Sequence, residues 1–161
     1  MRSNAIFYEL GRWAAVVVGI VALLVMFGGN SVSGADALEV ADAVVAVLDM
    51  ENMSQADNQM VKRFYGLDPA SYDACILYSP NTNMMAEEIL VVKLKDLGQQ
   101  QTVRDAIEGR LQTQKNTFEG YGVEQFDLLT NHAVIEVRGN FVLFVVHTDA
   151  DAARKAFLGA L

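Results

Sequence analysis

The chain has 161 residues, 52% of them hydrophobic and 20% charged, with a net charge of −8 at neutral pH. That length fits one domain and one appendage. Arg2, Arg12 and Glu9 leave the first 30 residues at +1 and the remainder at −9, and a domain that acidic repels phosphate backbones and anionic surfaces, which argues against a nucleic-acid partner.

Residues 1–29 stand apart. The run "WAAVVVGIVALLVMFGG", residues 13–29, carries no charge. Arg2 and Arg12 precede it, while Asp36, Glu39 and Asp42 follow it. Positive charge on the near side alone predicts an N-inside orientation, with the domain outside the cytoplasm. The run is close to the length of a spanning helix, and Trp13 lies where an interfacial aromatic would, so the segment reads as a retained single-pass membrane anchor. Small residues at Ser31 and Ser33, or at Ala35 and Ala37, keep a cleaved signal and a secreted domain as the alternative. Residues 30–35 read as a linker and 36–161 as the extracytoplasmic domain.

Within that domain, "ADALEVADAVVAVLDM" has helical spacing, which predicts a helix over 35–49 with Asp36 and Glu39 at its positive end. "SQADNQMVKRFYG" predicts a second helix over 54–65, with Ser54 as N-cap and Gly66 as terminator. Asp68-Pro69 predicts a single helical turn. The period then changes, and strands are expected near 73–79 and 87–95. Cys75, the chain's one cysteine, lies in the first of them and reads as a buried structural thiol. Glu87 and Glu88 are adjacent in the second, so they point to opposite faces and do not form a carboxylate pair. A long surface helix is expected over 100–118, with Val103, Ile107, Leu111 and Phe118 on one stripe. Gly139-Asn140 predicts a hairpin over 132–147, and a closing helix follows over 149–160.

Several phrases in this order, "YGLDPASYDACILYSPNTNMMAEEILVVKLKD", "RLQTQKNTFEGY" and "VRGNFVLFVV", resemble the bacterial membrane-tethered family known as domain of unknown function 4358. The likeness spans about residues 36–160 and rests on Tyr-Gly then Asp-Pro, Tyr-Ser-Pro, Ala-Glu-Glu and Gly-Asn-aromatic in combination. It implies an extracytoplasmic α+β domain, often behind a lipoprotein signal or a single span, with no established activity and no catalytic residues to carry over. The chain departs from that pattern in lacking the lipid-attachment cysteine.

"HTDAD", residues 147–151, is the stretch that most resembles chemistry. With Gly139-Asn140 as the turn, His132 lies opposite His147, and the two with Asp149 form a conceivable zinc or copper site. Helix initiation explains more of it: Thr148 is expected to accept from the N–H of Asp151, with Asp149 and Asp151 in the first turn and His147 of little consequence. Neither a metal nor an organic cofactor is expected. No nucleophile elbow, phosphate loop or His-Glu-x-x-His motif occurs.

Alternation in the hairpin places Ala133, Ile135, Val137, Val142, Phe144 and Val146 on an all-apolar face. The opposite face mixes His132, Glu136, Arg138 and His147 with an apolar ridge of Phe141, Leu143 and Val145. The expected fold is therefore α+β: a small four-stranded, mostly antiparallel sheet with helices packed on it, behind an N-terminal transmembrane or signal helix. The ridge is the expected interaction face, for a protein partner or a homodimer, unless residues 35–65 cover it and make a third layer. The expected function is that of a non-catalytic, membrane-tethered binding or accessory module. A secreted enzyme or metal-handling protein built on His132, His147 and Asp149 is the alternative.

Overall fold

Asp36 starts the first helix by accepting from the backbone N–H groups of Leu38 and Glu39 at 2.8 and 3.3 Å. The computed structural model describes residues 31–161, and the anchor expected over 13–29 lies outside the described residues. Among the described residues no helix is long and apolar enough to cross a membrane. Helix α1 spans Ala37–Val45 and buries Ala37, Val40, Ala41 and Val44. It stops short of residue 49, because Asp49 turns the chain by taking the N–H of Glu51 at 2.9 Å.

Strand β1, Met53–Ala56, occupies what was expected to be the start of the second helix. Ser54 is a strand residue paired with Ser79. The N-cap is Asp57, whose carboxylate takes the N–H groups of Gln59 and Met60, and α2 spans Asn58–Tyr65. Gly66 ends it at φ 67°, a left-handed conformation that a glycine adopts without cost. Asp68 and Pro69 then make the expected single turn, Pro69–Ser71.

The remaining elements are β2 (Ala74–Pro80), β3 (Glu88–Lys93), α3 (Gln100–Phe118), α4 (Val123–Asn131), β4 (Ala133–Arg138), β5 (Phe141–Val146) and α5 (Ala150–Gly159). The sheet has five strands rather than four, in the order β1-β2-β3-β5-β4. Every pairing is antiparallel. Arg138 faces Phe141 and Val134 faces Val145, the register that Gly139-Asn140 imposes. Helix α4 was not anticipated. It begins at Gly122 with no side-chain cap and buries only Leu128 and Leu129, so it gives neither a start signal nor a long stripe.

Both faces of the sheet are covered. Leu77, Leu90, Val92, Val142, Phe144 and Val146 pack under α2, α3 and α4. On the other side, Ile89, Val91, Phe141, Leu143 and Val145 pack under α1 and α5. The result is three layers, and β5 is buried along its whole length.

The sheet also has two distinct ends. Ser33 donates its N–H to Asn140 Oδ1 at 2.7 Å, and its hydroxyl to the Leu161 carbonyl at 2.9 Å. Lys93 Nζ donates to the Ala35 carbonyl at 2.7 Å. Residues 33–35 are thus tied to the end that carries the β4–β5 turn, and the compact unit starts at Val32. Loops 46–52, 81–87, 119–122 and 147–149 gather at the opposite end. A six-residue strand separates the two poles by roughly 20 Å.

Candidate functional site

Phe141, Leu143 and Val145 are each 0% exposed. They are core residues beneath α1 and α5, not the interaction face expected of them. Of the polar residues that share their face, Arg138, at the end of β4, is exposed, while His147 is buried. Glu136 accepts from Arg154 Nε of α5 at 2.6 Å, which makes it part of the covering layer.

The metal reading of His132, His147 and Asp149 does not assemble. His147 is 4% exposed and both its ring nitrogens are occupied. Nδ1 accepts from the N–H of Asp149 at 2.9 Å, and Nε2 lies 3.2 Å from the Asp49 carbonyl, to which it donates. His132 sits opposite, as the register requires, and its carbonyl accepts from the His147 N–H at 3.2 Å. Its ring, however, turns toward Asp127, 3.9 Å away. Among the described residues no group of three or more His, Cys, Asp or Glu side chains could hold a metal ion.

The capping expectation also needs correction. Asp149, not Thr148, is the N-cap residue of α5, and no side-chain hydrogen bond caps that helix from it. Thr148 is exposed. His147 takes the N–H that starts the turn, and it pins loop 46–52 to the same corner. His147→Ala is therefore expected to cost about 2–3 kcal/mol, from two lost hydrogen bonds and a small cavity, while Thr148→Ala stays within about 0.5 kcal/mol. Urea unfolding of the two variants checks this ranking, and a silent His147→Ala contradicts it.

A buried polar cluster lies on the other face of the sheet. Glu88 is the first residue of β3, Tyr65 the last of α2, and Arg110 is central in α3. Arg110 donates Nη2 to Glu88 Oε2 at 2.7 Å and Nε at 3.2 Å. Its guanidinium also stacks on the Phe64 ring at 3.9 Å. The Tyr65 hydroxyl donates to Glu88 Oε1. Burial, reinforced by the neighbouring Glu88 charge, holds the Tyr65 phenol well above its ordinary pKa, so it remains a donor. Every oxygen of Glu88 is engaged, and the cluster locks two helices to the central strand. Glu87 lies in the loop before β3 rather than in the strand, so the expected opposite-face argument does not apply, and the two carboxylates have separate partners.

Glu87 lines a cavity of about 650 Å³ at the pole remote from residues 33–35. Asn52, Met85, Glu124, Asp127, Leu128 and His132 contribute to its wall, which among the described residues includes no Lys or Arg. Asn52 Nδ2 donates to Glu87 Oε1 at 3.1 Å. Glu87 Oε2 is buried and has no hydrogen-bond partner among the described residues. Gln125 of α4 accepts from the N–H of Ala86 at 2.7 Å, which holds loop 81–87 against that helix. A neighbouring depression shares Met85, Val123, Glu124 and Gln125 and adds Met84 and Tyr121. Met84, Tyr121 and Val123 are 65%, 60% and 80% exposed, an apolar rim beside an acidic hollow.

Residues 46–147 match the family described as Domain of unknown function (DUF4358). The chain belongs to that family. No curated protein and no solved structure matches it. The stretch shared with DUF4358 takes in all five strands and α2, α3 and α4, whereas α1 and α5, which cover the second face, flank it. All of the cavity wall except Thr148 lies inside the DUF4358 stretch.

Sequence reasoning missed the cavity because its wall comes from segments up to about a hundred positions apart, none with a motif. It missed the Glu88 cluster for a different reason. A charge on a face otherwise made of Leu90, Val92 and Leu94 demands a partner, and Arg110 follows Val103 and Ile107 on the inner stripe of α3. Both halves of that signal were present in the sequence.

Proposed function

We propose that the protein is a membrane-tethered, extracytoplasmic binding module without a catalytic role, and that its binding surface is the pole formed by loops 46–52, 81–87 and 119–122. One observation carries this reading: residues 33–35 are fixed at one end of the sheet, while the cavity and its apolar rim lie at the other. The first described residues occupy one end of the domain and leave the other open to a partner. The sheet faces offer no rival surface, because helices cover both. The charge pattern supports export, since Arg2 and Arg12 precede the apolar run over 13–29 and acidic residues follow it.

A reporter fused after Leu161 tests the tethering. One that needs an oxidising, extracytoplasmic setting is expected to be active, and one that folds only in the cytoplasm is expected to be silent. The opposite pattern would overturn the localisation.

A further inference from the structure

We infer that the cavity and its rim bind a polypeptide segment of a partner protein in which a lysine or arginine sits beside apolar residues. The cation would lie against Glu87 and the apolar neighbours on Met84, Tyr121 and Val123. This rests on the binding reading above and names the chemistry of that same pole.

Charge is the first argument. Loops 46–52, 81–87, 119–122 and 147–149 carry Asp49, Glu51, Glu87, Glu119 and Asp149 with no Lys or Arg. Glu124 and Asp127 add to them from α4. The other pole is closer to balance, since Lys93, Lys95 and Arg138 largely offset Asp36, Asp68, Asp73 and Asp96. The acidity is therefore concentrated at one end of the described domain. It selects a cationic partner, and it opposes a second copy docked through the same pole, which would bring like charges together.

The state of Glu87 is the second. A buried carboxylate oxygen without a donor forgoes a hydrogen bond where one matters most. Oε1 is held by Asn52, whereas Oε2 has no partner among the described residues, and the same side chain lines the cavity. An ammonium or guanidinium brings the missing donor.

The rim decides the size of the ligand. A cavity of about 650 Å³ lies within the range of small-molecule sites, but the exposed Met84 and Tyr121 lie outside it and Val123 at its edge is 80% exposed. Methionine and aromatic residues next to a polar hollow are the composition of a protein interface. An extended ligand covers them, and a free amine does not.

The test uses the full chain in lipid nanodiscs, with its methionine methyl groups labelled for NMR. The probe is acetyl-Gly-Leu-Lys-Leu-Gly-amide, compared with the same peptide carrying glutamate at its centre and with n-butylamine. The lysine peptide is expected to shift the Met84 and Met85 methyl signals and to leave Met60, which packs on the core, in place. Glu87→Gln keeps the acceptor for Asn52, and it is expected to weaken the peptide about tenfold or more. Val123→Ser, at an exposed position, is expected to weaken it severalfold without moving the melting temperature. Equal binding of the lysine and glutamate peptides, or no effect of Glu87→Gln, would overturn the inference. Binding of n-butylamine as tight as that of the peptide would also overturn it, since the occupant would then be a small amine. Silence of Met84 and Met85 toward all three probes would dismiss the cationic ligand. The binding pole itself would still be judged by its protection in native membranes.

Discussion

Phe141→Ala and Phe144→Ala are expected to destabilise the domain by similar amounts, about 3–5 kcal/mol each. The two residues point to opposite faces of β5. Phe144 packs edge-on against Tyr65 with ring centres 6.4 Å apart, beneath α2 and α3. Phe141 packs edge-on against Phe157 of α5 at the same distance, and Lys93 Nζ lies 5.5 Å from its ring centre. Neither side chain has a route to solvent, so truncating either leaves a void in a filled layer. Each loss is a large part of the ~5–15 kcal/mol that holds a typical domain together. Urea unfolding followed by tryptophan-independent far-ultraviolet dichroism measures both. A Phe141→Ala cost below about 1 kcal/mol would mean that the second face is open.

Arg110→Met is expected to cost about 3–5 kcal/mol, because it leaves the Glu88 carboxylate buried with only Tyr65 as donor. The reverse change is milder. Glu88→Gln keeps an acceptor for Tyr65 and Arg110, and the Arg110 side chain retains 11% exposure against 1% for Glu88. Replacing both, Glu88→Leu with Arg110→Met, is expected to recover most of the loss, since a buried ion pair exchanged for packed apolar groups is often close to neutral. A double variant as unstable as Arg110→Met alone would show that the pair does more than satisfy itself.

Much of the fold is legible in the sequence where a pattern runs long enough. Helix α3 begins and ends at the expected residues, 100 and 118, because its apolar stripe persists over five turns. The β4–β5 register follows from a two-residue turn that glycine permits, with Gly139 at φ 55°. Short elements are a different matter. Four-residue β1 leaves no alternation to read, and Ser54 and Asp57 are both good caps, so the helix start shifted by three residues. The half-polar face of the hairpin misled for a physical reason. Strand β4 is an edge strand, and its polar side chains meet the flank of the covering helix, as Glu136 does at Arg154. Polarity there marked the margin of a buried layer rather than open water.

The candidate site was the least legible part. "HTDAD" drew attention because its residue types are those of metal centres, yet backbone partners use up His147. The cavity owes its character to loops that only the folded sheet brings to one pole, and Glu87 lacks a donor only once Asn52 has taken its other oxygen.

Oxidative footprinting of Met84 and Tyr121 tests the central claim, that this pole is the working surface, most directly. Hydroxyl-radical labelling would be measured in the native membranes of the producing cell and on the purified full chain. Both residues are well exposed in the free domain, so both should label readily once purified. Protection of Met84 and Tyr121 in the native membrane, with residues near the β4–β5 turn unchanged, is the result expected. Equal labelling in the two preparations, or protection confined to the turn end, would contradict the claim.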